Sequence, residues 1–223
     1  MSLVAGLVFD FDGVILETES PAYDSWSELY KSRRVELPLD LWRDEVGSLG
    51  RFDAGAYLEE LTGRALTAEE RTARWSRKLE LVSALKVMPG VEDLIAQAAD
   101  RKVPLAVASS DTDEWVIGHL RRLGLLNRFQ AIVTANGNPA RAKPDPTVFI
   151  EAVDALKVAP QDALAFEDSA NGVAAAKAAG MLCVAVPNEI TRNSDLAAAD
   201  WVVPTLNGVG FDDLEALIRQ SSA

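Results

Sequence analysis

Histidine and cysteine are nearly absent: the 223 residues hold one of each. A chain with a single histidine, His119, cannot be a histidine-based phosphatase that needs a pair, and Ser-His-Asp hydrolases and most zinc enzymes fall away with it. His119 itself sits inside the helical pattern DEWVIGHLRRLGL and reads as structural or surface. Cys183, in the apolar run MLCVAV, reads as a reduced core thiol rather than a nucleophile. Cations are also in short supply, 22 Lys and Arg against 34 Asp and Glu, which gives a formal net charge of -12. Such a surface repels a nucleic-acid backbone or an anionic membrane, so neither is expected as a partner. No apolar stretch reaches the length of a membrane span, and the start MSLVAGLVFDFDG has no basic leader region, so the expected setting is the cytoplasm. Repeats and low-complexity tracts are missing as well. Nothing in these patterns encodes an oligomer, and a monomer is expected.

What is present is an alternation. Short apolar runs at 3–9, 103–109, 129–135, 162–168, 181–186 and 200–203 have the near-continuous hydrophobicity of strands buried on both faces. Helical patterns separate most of them: VEDLIAQAADRK, DEWVIGHLRRLGL, PTVFIEAVDALKV and SANGVAAAKAAG, with GFDDLEALIRQSSA as a last amphipathic helix and frayed tail. The expected fold class is α/β, an open and mostly parallel sheet with helices on both faces. One interval breaks the rhythm. Between the first two runs the chain shows only helices, at about 20–32, 52–62 and 67–85, the last opened by the capping-box pattern Thr67 to Glu70. The expected organisation is a core of residues 1–16 and 87–223 and a helical cap of residues 17–86.

Ligands of open α/β sheets bind at the carboxyl ends of the strands, and the residues there are of one kind. The first run ends in Asp10 and Asp12, the second in Ser109 and Ser110, and the fourth in Glu167 and Asp168, while Lys143 lies in the loop RAKPDP after the third. Several acids on one edge repel one another unless a cation sits among them. Oxygen ligands without histidine point to a hard ion, Mg²⁺. Magnesium, a lysine and hydroxyls make a phosphate site, with Lys143, Ser109 and Ser110 as its expected phosphate-binding residues. Asp10 is then the nucleophile that becomes an aspartyl phosphate. Asp12, two residues on and directed the same way from an extended chain, protonates the leaving oxygen and later deprotonates water. Taken singly, Glu167 and Ser110 read as turn or cap residues, and Asn171 and Gly172 as shaping the next helix; Gly13 suits a tight turn.

The segments DFDGVILETE, VASSD, AKPDP and FEDSANGVAAAKAAG resemble, in order, the four motifs of the haloacid dehalogenase superfamily. The resemblance covers nearly the whole chain. It implies a Rossmann-like core with a helical cap inserted after the first motif, as in the β-phosphoglucomutase-like and sugar-phosphate phosphatase branch. It also implies Mg²⁺ bound by the carboxylate of Asp10, the carbonyl of Asp12 and Asp168, with Glu167 as a further ligand or neighbour, and phosphate held by Ser109 and Lys143. The superfamily's dehalogenases lack an acid two residues after the nucleophile, so Asp12 argues for phosphoryl transfer.

Within that branch, the mutases carry an early cap histidine whose place here is taken by Ala22, which favours water as the final acceptor. Arg51 and Lys78 match cap cations that contact substrate, holding a second anionic group or hydroxyls. The expected activity is a Mg²⁺-dependent phosphatase for a small phosphorylated metabolite, a sugar phosphate first of all. A β-phosphoglucomutase-type mutase is the alternative, and a receiver-like phospho-switch without turnover a more distant one. Asn188 and Arg192 lie near the same edge but read as loop residues, and the tryptophans as packing.

Overall fold

A computed structural model describes residues 4–221; Leu3, at the head of the first apolar run, and the end of the expected tail lie outside them. All six apolar runs contain strands: β1 (Gly6–Phe9), β2 (Leu105–Ser109), β3 (Ala131–Thr134), β4 (Ala163–Glu167), β5 (Leu182–Ala185) and β6 (Trp201–Val202). They form one sheet in the order β3-β2-β1-β4-β5-β6, and every pairing is parallel. Because β2 and β3 lie to one side of β1 and β4 to the other, the strand order reverses between β1 and β4. That is where such sheets open a crevice at their carboxyl edge.

Alternation along the strands divides the core into two unequal layers. Leu7, Phe9, Leu105, Val107, Leu164, Phe166 and Val184 face α5 (Val91–Arg101), α6 (Asp113–Arg122) and α9 (Phe211–Ser221). Phe9 stacks on Phe166 across the central strand pair, ring centroids 4.7 Å apart. The opposite face offers Val8, Ala106, Ala108, Ala163, Ala165, Cys183 and Ala185 to α7 (Thr147–Leu156) and α8 (Ala170–Ala178). Small side chains there let the two helices lie close to the sheet. Cys183 is fully buried, and burial pushes its thiol pKa up, which keeps it inert.

Between β1 and α5 the chain forms four helices, α1 (Glu19–Ser32), α2 (Leu39–Glu45), α3 (Ala54–Thr62) and α4 (Ala68–Ser83). They enclose a cluster of their own, Tyr30, Leu37, Ala54, Leu58 and Leu66. Both bonds of the Thr67–Glu70 capping box are made. The sequence pattern predicts three of these helices and misses α2, whose seven residues bury no side chain fully and so leave no apolar period to read.

Candidate active site

The register of β1 against β4 places the acids. Phe9 lies opposite Phe166, and the Asp10 amide donates to the Phe166 carbonyl at 2.9 Å, extending the pairing by one residue. Asp10 therefore emerges beside Glu167 and Asp168. Its carboxylate accepts from the Phe11 amide at 2.7 Å. Lys143, from the loop between β3 and α7, places its Nζ 2.5 Å from Asp10 Oδ1 and 2.7 Å from Glu167 Oε1. Glu167 Oε2 accepts from the Ser169 hydroxyl at 3.2 Å. Asp168 Oδ2 accepts from Asn188 Nδ2 at 2.6 Å. All four charged groups are buried.

This arrangement is short of positive charge. Burial, then Glu167, raises the Asp10 pKa well above the usual carboxylate value, with Lys143 opposing. Burial, then Glu19, does the same to Asp168. Burial works against the Lys143 ammonium, but Asp10 and Glu167 hold its pKa above that of an ordinary lysine. One oxygen from each of Asp10, Glu167 and Asp168 lies within 4.8 Å of the others, and Asp168 Oδ1 is buried with no hydrogen-bond partner. An orphaned carboxylate oxygen in an all-oxygen group is what a hard divalent cation would use, so these residues fit Mg²⁺.

Two glycines make room for the acids. Gly13, at φ +84° in the turn that follows β1, would aim a Cβ to within 2.2 Å of Asp168 Oδ2. A Cβ on Gly172, in the first turn of α8, would lie 1.9 Å from the Glu167 carboxyl carbon. The pattern reading of Gly172 as a helix-start residue therefore understates it.

Asp12 does not join that group of three carboxylates. Its Oδ1 accepts from the Thr18 hydroxyl at 2.5 Å and from the Trp115 indole N–H at 2.9 Å. Ser109, the last residue of β2, accepts from the Asp111 amide at 3.0 Å through its oxygen and keeps its proton for another acceptor. Ser110 differs from expectation. Its hydroxyl donates to the Gly47 carbonyl at 2.7 Å and accepts from the Lys143 amide at 3.0 Å, so its proton is spent on the cap rather than on phosphate.

Above these groups lies a cavity of about 290 Å³, with Asp10, Asp12, Ser109 and Lys143 in its wall. The cap adds Glu19, Ala22, Trp42, Leu49 and Lys78. Of the two expected cap cations, Lys78 reaches the wall, its Nζ 4.3 Å from the Trp115 ring centroid. Arg51 is outside the lining and donates to Asn171 Oδ1 instead. Asn171 in turn donates to the carbonyls of Asp44 at 3.0 Å and Val46 at 2.9 Å. It is a bridge between core and cap, a role that the sequence pattern does not reveal. Asn188, expected to be a loop residue, instead holds Asp168, whereas Arg192 stays exposed. Three further acids line the cavity unannounced, Glu19, Glu45 and Asp111; burial, then the Asp12 charge, lifts Glu19 to about 8 and Asp111 to about 6. His119 packs against Trp115 and Phe11 and takes no part in the lining.

Residues 4–180 match the family of haloacid dehalogenase-like hydrolases. Putative phosphatase YhcW of Bacillus subtilis is 40% identical over 190 residues, covering 85% of this chain and 86% of that protein. The β-phosphoglucomutase of the same organism is 32% identical over 209 residues, 88% of each. Among solved structures, CbbY from Rhodobacter sphaeroides in complex with phosphate superposes with a TM-score of 0.73 at 27% identity, covering 95% of this chain and 99% of that one.

Proposed function

Because the chain belongs to the haloacid dehalogenase-like hydrolases and is an enzyme of their phosphatase and phosphomutase kind, we propose that it is a Mg²⁺-dependent phosphatase. Its substrate in this reading is a small phosphorylated metabolite, a sugar phosphate in the first instance. The observation that carries the reading is the convergence of Asp10, Lys143, Glu167 and Asp168 at the β1–β4 switch point beneath a cavity. The core is then residues 1–16 and 87–223 and the cap residues 17–86.

Asp10 attacks phosphorus. As its Oδ–P bond forms, the P–O bond to the leaving group breaks, the electron pair stays on the leaving oxygen, and the Asp12 carboxyl gives that oxygen its proton. Water then loses a proton to the Asp12 carboxylate and attacks the aspartyl phosphate, which returns Asp10 and releases orthophosphate. Lys143 orients Asp10 and pairs with phosphoryl oxygens, Glu167 holds Lys143 in place, and the free Ser109 proton serves a third oxygen. Asp10, Asp168 and the Asp12 carbonyl would hold Mg²⁺, which when bound would neutralise negative charge on the transferred group.

Ala22 in the cavity wall supports water over a sugar hydroxyl as the final acceptor, since its methyl group cannot relay a proton. Beyond Lys143, the cation of the wall is Lys78, facing Glu19 and Asp111. That balance suits a leaving group that is a neutral polyol, with Lys78 meeting its hydroxyls. A net charge of -12 and a buried, reduced Cys183 accord with a cytoplasmic protein that acts, as a monomer, on metabolites rather than on nucleic acid or membranes. Among the described residues no helix is long and apolar enough to cross a bilayer.

Asp10→Asn is expected to abolish turnover of p-nitrophenyl phosphate while circular dichroism stays that of the parent; undiminished hydrolysis would end this reading. The mutase reading keeps one observation in its favour, the 32% identity to a β-phosphoglucomutase. Conversion of β-glucose 1-phosphate to glucose 6-phosphate in the presence of the bisphosphate, faster than phosphate release, would decide for it.

A further inference from the structure

The proton carrier of this site has two oxygens, and the structure treats them differently. Asp12 Oδ1 receives two donors, Thr18 Oγ1 at 2.5 Å and Trp115 Nε1 at 2.9 Å, whereas no donor to its Oδ2 is recorded among the described residues. A hydroxyl can reverse its bond and accept, but an indole N–H can only donate. With Oδ1 anchored by both donors, Oδ2 is the oxygen left to face the leaving group. Trp115 lies in the first turns of α6, directly after the β2 serines, and is 7% exposed. It is not part of the cavity lining, although Asp12 is. Its other face meets the cap: Lys78 Nζ stands 4.3 Å from the ring centroid and the Trp75 ring 5.9 Å away. A cation over the indole face draws charge from the ring and strengthens the N–H as a donor.

We infer that Trp115 is a positioning residue for proton transfer: its indole N–H fixes Asp12 Oδ1 and so leaves Oδ2 to serve the leaving oxygen, while Lys78 of the cap stands over the same ring. This rests on the phosphatase reading above, because the proton matters only if Asp12 serves the leaving oxygen.

Leaving-group dependence separates this role from mere packing. Esters of sugars leave as strongly basic alkoxides and need the proton, whereas p-nitrophenolate leaves without it, and kcat/KM reports the bond-breaking step for both. Trp115→Phe keeps an aromatic ring between Lys78 and the core but removes the donor. It is expected to lower kcat/KM for a sugar phosphate at least about tenfold more than for p-nitrophenyl phosphate. The same ratio should follow when residue 115 is replaced by benzothienylalanine, which exchanges N–H for sulfur at nearly constant shape and serves if the phenylalanine variant does not fold. Equal losses on the two esters, or none, would overturn the inference. Failure of the parent protein to hydrolyse either ester would instead remove the phosphatase reading on which it stands.

Discussion

Gly172 is more constrained than a position in the first turn of a helix requires. In an ordinary helix, Gly→Ala gains up to about 1 kcal/mol. Here the added methyl would sit 1.9 Å from the Glu167 carboxyl carbon, and the carboxylate would have to leave the Lys143 ammonium it contacts at 2.7 Å. Since a misplacement of ~1 Å in such a site costs on the order of a hundredfold, Gly172→Ala is expected to lose about that factor in kcat/KM on any phosphate ester. A variant with parental rates would show that Glu167 does not orient Lys143. Asp10, Asp12, Lys143 and Asp168 are legible from sequence because the apolar runs announce where strands end, and carboxylates at strand ends of a parallel sheet share one edge. Gly172, Thr18, Trp115 and Asn188 are not, because each acts through a neighbour brought near only by folding. Ser110 stands one position from Ser109, and only the approach of the cap loop at Gly47 distinguishes their roles.

At the level of elements, the strands and the three amphipathic cap helices are readable because each buries a face. The segment that joins cap to core follows a different logic. No residue of helix α2 is fully buried, Trp42 packing only partly against the cap cluster, and the turn after it is held by polar bonds: Glu45 accepts from the amides of Gly50 at 2.9 Å and Phe52 at 2.7 Å. Asn171 binds the carbonyls of Asp44 and Val46 from the core side, Arg51 closes on Asn171, and Arg43 reaches the Ile190 carbonyl at 3.0 Å. Polar latches of this kind carry no periodicity and are invisible to pattern reading. Losing the two Asn171 amide bonds at about 1 kcal/mol each raises opening of the segment by roughly thirtyfold. Asn171→Ala is therefore expected to speed proteolytic cleavage within residues 46–52 and to raise KM for a metabolite ester. Cleavage at the parental rate would mean that the cap is held elsewhere.

On the scale of the whole molecule, the alternation of strands and helices determines where chemistry can gather, and the reversal of strand order between β1 and β4 gathers it at one point. That point concentrates Asp10, Glu167 and Asp168 around one lysine in a chain already at -12. Acids so placed raise the energy of the fold, a cost retained for function, and a divalent cation that binds only the folded state should relieve it. At about a hundredfold excess over Kd, linkage gives about 2.7 kcal/mol, which for a protein of this size is about 5–10 °C in Tm. Thermal melts with and without Mg²⁺ read this directly and need no substrate. Asp168→Asn removes one buried carboxylate and one ligand together, so this variant is expected to melt at or above the metal-free parent and to gain little from Mg²⁺. A full shift retained in that variant would place the ion away from Asp168 and remove the metal from the proposed phosphoryl-transfer site.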